Sequence, residues 1–290
     1  PAQAALLIQK TIYRCLGVKA RIGIGPNKVL AKMACDHFAK KNERGIAVLD
    51  RETLAERLWP LPVRALFGVG RRLAHHLERM GIRTIGHLAQ TPVTVLKKRW
   101  GINGERLWLT ANGIDHSPVS PASHSRSKSI GHHMTLPRDY MAREEIKVVL
   151  LELCEEVSRR SRMKDYVGHT ISVGVRGARL DTPIGFYRQT QLPEKTNHGP
   201  DLFQAALTLF NQHWSGYPIR SIGVTLSGLE RASEQQLTLF DQPLVKKERL
   251  NRVVDQIKER YGDSALLRAV SLTGAGQARE RAQKIGGHYK

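Results

Sequence analysis

The stretch RIGIGPNKVLAKMACDHFAKK, Arg21 to Lys41, constrains the fold of this chain more tightly than any other. Ala20, Ile22 and Ile24 alternate with Arg21 and Gly23, the period of a half-buried strand. Gly25-Pro26-Asn27 is a turn signal, and Asn27 stands where a side-chain oxygen would cap a helix starting at Lys28. Val29, Leu30, Met33, Ala34, His37 and Phe38 then recur at helical spacing. The segment reads as a strand-turn-helix unit with one buried helix face. Lys28 and Lys32 are four apart on a neighbouring face, as a phosphate-binding surface needs; solvated lysines on a purely structural helix are the alternative.

Charge narrows the partner. Lysine and arginine total 46 against 26 acids, a net charge of +20 over 290 residues. That excess calls for a polyanion, with nucleic acid as the leading class. No apolar run approaches the roughly 18 residues of a membrane span, so no membrane is expected. Cys15, Cys35 and Cys154 are far apart and form no CxxC pair. A reduced, cytoplasmic and nucleoid-associated setting fits them better than a disulfide framework. The doublets His75-His76 and His132-His133 lack a second ligand pair at zinc-like spacing, and no metal is expected there.

The periodicities predict several units. Ala4–Gly17 is an amphipathic helix with Ala5, Leu6, Ile8, Ile12 and Leu16 inward. Residues 45–49 form a short strand, and 51–58 a short helix stopped by Pro60. Residues 62–67 are helical in pattern, Gly68-Val69-Gly70 makes a tight bend, and residues 71–80 form a helix closed by Gly81. This is a helix-hairpin-helix pattern. Its glycines let backbone approach a phosphate, and Arg71 and Arg72 add charge at the second helix start. A plain structural connection is the alternative. Leu88, Val95, Leu96, Trp100, Leu107 and Trp108 are candidate core residues of the helical region that follows.

A Ser/Pro-rich stretch from His116 then loses all periodicity and reads as a linker. Beyond it come strand 128–136, helix 143–163, strands 168–176 and 183–192, helix 201–214 and strand 219–229. The order βαββαβ is that of a ferredoxin-like split unit. Arg176, Arg179, Arg188 and the Lys128 region would give its sheet a basic face able to lie across phosphates. Residues 244–261 are helical and charge-rich, and the basic run to Lys290 is expected to fray at its end.

GIGPNKVLAKMA resembles the GIA-x-NK-x-LAK-x-A segment of the DinB/UmuC family, the Y-family translesion DNA polymerases. LPVRALFGVGRRLAHHLERMGIRTIGHLAQ resembles that family's thumb, and Arg126-Ser127-Lys128-Ser129-Ile130-Gly131 the opening of its little finger. The C-terminal IGGH and the helix before it are similar to the UmuC-like, UV-damage-repair branch of Gram-positive bacteria. The resemblance implies an α+β multidomain chain: palm remnant 1–59, thumb 60–116, linker 117–127, little finger 128–231 and tail 232–290.

Implied too is an error-prone DNA-directed DNA polymerase acting on primer-template DNA and dNTP through Mg2+. The family's metal-binding acids precede this segment, whereas no acidic residue precedes Asp36 here. The chain is therefore expected to be a C-terminal fragment, inactive alone, with no catalytic residue of its own. Lys40 or Lys41 would reach the incoming triphosphate. Gly68, Gly70, Arg71 and Arg72 would bind primer phosphates; Arg126, Lys128, Ser129 and Arg176 would bind the template side.

Finally, Gln236-Leu237-Thr238-Leu239-Phe240 matches QLxLF, the bacterial sliding-clamp pentapeptide. Leu239 and Phe240 would anchor in an apolar pocket, with Gln236 at its rim and Leu237 beside it. The rival reading is a non-catalytic, DNA-binding and clamp-binding adaptor.

Overall fold

The computed structural model describes residues 1–120, 127–178, 184–234, 242–285 and 288–289. They fall into two units, residues 1–125 and 126–290, each with its own core.

In the first unit, helix α1 (Ala2–Leu16) is followed by strand β1 (Ile22–Ile24) and helix α2 (Lys28–His37). The cap forms as the sequence requires: Asn27 Oδ1 accepts from the Leu30 amide at 2.9 Å, and Asn27 Nδ2 donates to the Gly113 carbonyl at 2.8 Å. Strand β2 (Ile46–Val48) runs parallel to β1 in a two-stranded sheet. Leu30, Met33 and Ala34 carry the buried face of α2 into a core completed by helices α3 (Arg71–Arg79), α4 (Ile85–Gln90), α5 (Val93–Trp100) and α6 (Ile102–Ala111).

Several expectations need correction in this unit. Of the α1 residues assigned inward, only Ala5 is buried, and Leu6, Ile8 and Leu16 are exposed. Periodicity reports that a helix has an apolar face, not that the face is covered. Val95 is also exposed, whereas Leu88, Leu96 and Leu107 are core and Trp100 and Trp108 pack against it. The expected helix at 51–58 is one wide turn, Leu54–Leu58, closed by the Trp59 amide on the Leu54 carbonyl at 3.0 Å. Residues 62–67 hold a single 3-10 turn, Val63–Ala65, because Pro62 is extended at one end and Leu66 at the other.

The second unit is built on strands β3 (Ser129–Tyr140), β4 (Tyr166–Gly177), β5 (Gly185–Thr196) and β6 (Ile219–Ser227), with helices α7 (Arg143–Met163) and α8 (Gly199–His213) between them. The element order is the expected βαββαβ, but the spatial order is β3-β6-β4-β5, antiparallel throughout. In a ferredoxin-like sheet the third strand separates the first two; here the fourth does. Which strands pair across long connections is not written into local patterns.

Both helices cover one face of this sheet. Ile171, Val173, Val175, Ile222, Val224 and Leu226 meet α7 and α8 in the core. A short strand β7 (Glu230–Arg231) pairs with the start of β4.

The sequence pattern does not announce how the C-terminal segment docks. Helices α9 (Gln242–Tyr261) and α10 (Ala278–Ala282), joined through a 3-10 turn at Ala269–Leu272, belong to the second unit, and the turn packs onto α7. Arg162 grips Asp255 of α9 with both forks, Nε to Oδ2 at 2.6 Å and Nη2 to Oδ1 at 2.8 Å. Arg159 pairs with Asp263 at 3.0 Å, and Arg268 with Glu155. The Tyr140 hydroxyl donates to the Ala275 carbonyl at 3.1 Å, and Ala275 joins the core. Polar contacts hold the segment, so hydrophobic periodicity could not announce its docking.

Candidate nucleic-acid interface

In the first unit the candidate phosphate site is the Gly68-Val69-Gly70 bend. Val69 is buried and pins the bend to the core, while the glycines on both sides are exposed. The Val69 amide closes the turn on the Leu66 carbonyl at 3.0 Å. Gly68 sits at φ +91°, a conformation any side chain would strain. Gly70 is extended at φ −80° and serves as the N-cap of α3 without a capping side chain. A Cβ added at either glycine would meet nothing within 4 Å.

The first α3 bond runs from the Ala74 amide to the Gly70 carbonyl at 2.9 Å. Amides of the preceding turn therefore face outward at the positive end of the helix dipole. Arg71 and Arg72 are exposed beside them. Sequence reasoning missed Phe67, which flanks the bend 54% exposed while its amide donates to Met33 Sδ at 3.4 Å. Its large apolar side chain next to the first glycine was the available signal.

The α2 lysines occupy one face, but they are not equivalent. Asp36 pairs with Lys32 at 3.0 Å and with Lys40 at 2.7 Å. Hydrogen bonds from Lys40 and Lys32 hold the Asp36 carboxyl below its ordinary range. Lys40 is thereby tethered, whereas Lys41 is exposed and has no ion-pair partner among the described residues. Burial works against the charge of Asp115, yet the Ser117 amide and hydroxyl and the nearby Lys28 ammonium keep its carboxyl below the ordinary value.

In the second unit, the sheet face away from the helices is small and polar. Thr170, Ser172, Gly174 and Arg176 of β4 share it with Ser221, Gly223, Thr225 and Ser227 of β6. His133 of β3 adjoins Arg176, and burial followed by that guanidinium lowers its pKa. Lys128 and Ser129 are exposed where β3 begins. Arg188 does not join this face: it is in register with Val173, on the helix side. Arg126, Arg179 and the pentapeptide residues Gln236, Leu237, Leu239 and Phe240 lie outside the described residues. The open face thus holds fewer cations than the sequence suggested, and Ser172, Ser221 and Gly223 on it are buried, with His133 lying against Gly223.

Among the described residues no three His, Cys, Asp or Glu side chains gather as a metal centre would require. His75 and His76 stand side by side with ring centroids 6.2 Å apart and no third ligand. No described helix is long and apolar enough to cross a membrane.

Known families match along the length of the chain. The impB/mucB/samB family matches residues 1–36, the thumb domain of DNA polymerase-iota matches 64–115, and the C-terminal domain of the impB/mucB/samB family matches 127–239. "DNA polymerase IV 2" of Bacillus subtilis is 57% identical over all of this chain and 70% of its own length. The protein of the same name from Halalkalibacterium halodurans is 50% identical over all of this chain and 71% of its own length. UvrX of Bacillus subtilis, named for UV-damage repair, is 42% identical over 99% of this chain and 70% of its own length. Identity at this level across the strand-turn-helix unit, the hairpin and the sheet places the chain in the Y family of translesion DNA polymerases.

Proposed function

We propose that these two units grip primer-template duplex by its phosphates for a translesion DNA polymerase, and tether it to the bacterial sliding clamp. The observation that carries the reading is the exposed Gly68-Val69-Gly70 bend, with open space over both glycines and two exposed arginines at the α3 start. A phosphodiester can approach such a bend closely enough to accept from the helix-end amides. Gly68, Gly70, Arg71 and Arg72 are assigned to the primer strand. Lys128, Ser129 and Arg176, with Arg126, are assigned to the template side, where polar side chains position the backbone without reading sequence.

Residues 1–59 act in this reading as part of a palm, 60–116 as a thumb, 117–127 as a linker and 128–231 as a little finger. Lys41 is the better candidate than Lys40 for a dNTP triphosphate, since Asp36 already holds Lys40. Lys28 and Lys32 extend the basic face of α2. The family's reaction calls for a divalent cation such as Mg2+; the described residues do not assemble ligands for one.

Gly70→Val is the decisive variant for the bend. It alters no positive φ and meets open space, so its fold cost is about 1 kcal/mol, that of a poor cap. Gly68→Val would strain the turn at φ +91° as well and confound the result. Duplex affinity of the native chain should fall steeply between 50 and 200 mM salt, as multiple phosphate contacts release counterions. Gly70→Val should weaken it about tenfold at fixed salt, equivalent to one good charge-assisted contact. An unchanged affinity by fluorescence anisotropy would assign the bend a structural role only. For the pentapeptide, replacing Leu239 and Phe240 with alanine should abolish clamp binding and spare duplex affinity. Clamp binding that survives both substitutions would remove the pentapeptide from the proposal.

A further inference from the structure

A cavity of about 730 Å3 opens in the second unit between β3, α7 and the docked C-terminal segment. It lies on the helix side of the sheet, apart from the open face assigned to DNA. Residues that line it hold four solvent-inaccessible polar atoms without a hydrogen-bond partner: His132 Nδ1, Glu152 Oε1, Arg159 Nε and Arg281 Nη1. Glu152 is only 3% exposed, and its other oxygen accepts from the Gln277 amide at 2.9 Å. Arg281 Nη1 stands 3.9 Å from that same oxygen, too far for a hydrogen bond. Arg159 spends Nη1 on Asp263 and leaves Nε unused. An unpartnered buried polar group costs about 1–3 kcal/mol. Four of them on residues that line one cavity mark it as a candidate recognition site.

The donor set defines the ligand. Two guanidinium groups donate toward an anion, the geometry that favours phosphate or carboxylate oxygens. A buried carboxylate beside them repels any anion that cannot offer it a hydrogen. Sulfate and phosphodiesters carry no ionisable proton at neutral pH; a terminal phosphate does, with its second pKa near 6. We propose that this cavity binds a phosphate bearing an ionisable proton, either free or as the terminal phosphate of a nucleotide, with Arg159 and Arg281 donating to its oxygens and Glu152 Oε1 accepting its hydroxyl. The volume falls within the roughly 300–1,000 Å3 of small-molecule sites, enough for a nucleotide. His132 faces the same space. Burial, then Arg160 and Arg281, lower its pKa to about 4, so at neutral pH it offers one more uncharged polar atom. Because α7 supplies Glu152 and Arg159 while Gln277 and Arg281 come from the docked segment, the ligand would bind the two together.

The test is a thermal-shift and calorimetric titration of the full chain with inorganic phosphate, thymidine monophosphate and sulfate at matched ionic strength. Phosphate or the nucleotide should raise the melting midpoint saturably by about 3–6 °C, the response expected of a specific ligand on a domain this size. The tighter of the two names the source, and sulfate should shift the midpoint by less than about 1 °C. Arg281→Gln should weaken phosphate binding at least tenfold. Glu152→Gln keeps the acceptor for Gln277 but removes the charge, so sulfate should then bind within about threefold of phosphate. Absence of saturable phosphate binding, equal binding of sulfate by the native chain, or affinity unmoved by Arg281→Gln would each overturn the proposal.

Discussion

Helix α1 and the α9–α10 segment are held by opposite means. Helix α1 is rich in Leu, Ile and Tyr, yet Leu7 and Leu16 remain 67% and 72% exposed and a single alanine is buried. The α9–α10 segment is dominated by charge, yet it contributes Ala275, Ser271 and Gln277 to the buried interior and is fixed by four ion pairs onto α7 among the described residues. Apolar content measures how much a surface gains from being covered. Whether it is covered depends on what lies opposite. Helix α7 supplies a second buried face, bearing Glu152 and Arg159, that only a polar partner could match.

The strongest way to break this contrast is to cut the Arg162 fork. Side chains of Arg162 and Asp255 are 18% and 19% exposed, and Arg162 Nη1 also donates to the Asn197 carbonyl at 3.1 Å. Truncation leaves Asp255 unpaired in partly desolvated surroundings, while the Asn197 carbonyl keeps the Ser158 hydroxyl. Losing one partner of a fully buried pair costs about 3–5 kcal/mol. With a fifth of each side chain still wet, Arg162→Ala should cost about 2–3 kcal/mol and open α9 to limited proteolysis. A loss below about 0.5 kcal/mol in urea melts would show that the docking rests on other contacts.

How much of this could be read beforehand follows from range. The Asn27 cap, the α7 limits Arg143–Met163 and the glycine bend are local, and their residues announce them. The strand order is not local: β3 pairs with β6 across some ninety residues, and nothing in either strand excludes another antiparallel neighbour. Arg188 was misplaced for a related reason, since only the register with Val173 fixes the face of a side chain on β5. At the candidate interface the residue types were legible, while tethering of Lys40 by Asp36 and exposure of Phe67 required packing to be seen.

Acidification gives a smaller, more local probe of the docked side. The His132 pKa lies near 4, lowered first by burial and then by Arg160 and Arg281, with Glu156 opposing and His133 adding to the shift. An unfolded histidine titrates near 6.5. Between those values the unfolded chain binds the extra proton, so stability must fall as pH drops from about 6.5 towards 4. The full displacement corresponds to about 3 kcal/mol; partial exposure of the ring reduces the expected share to about 1–2 kcal/mol. Carboxylates such as Asp36 and Glu145 also lose stabilisation in acid, so the readout is a difference. His132→Gln should flatten the stability slope over this window relative to the native chain, as measured by urea melts at half-unit pH steps. Parallel slopes would mean that His132 protonates as readily folded as unfolded.

The smallest effect is expected at α1, where the contrast is sharpest. Leu16 keeps most of its solvent contact on folding, so Leu16→Lys has little burial to lose. Lysine is a good helix former, and a cation in the last turn suits the helix dipole. Surface changes of this kind lie within about 0.5 kcal/mol, here with a slightly stabilising sign. A packed Leu16 would instead cost about 2–3 kcal/mol on the same substitution, before any charge is buried. Urea melts at two protein concentrations separate the cases. A large loss confined to high concentration would mean that a second copy covers the face; a large loss at both would mean that α1 is covered within the chain.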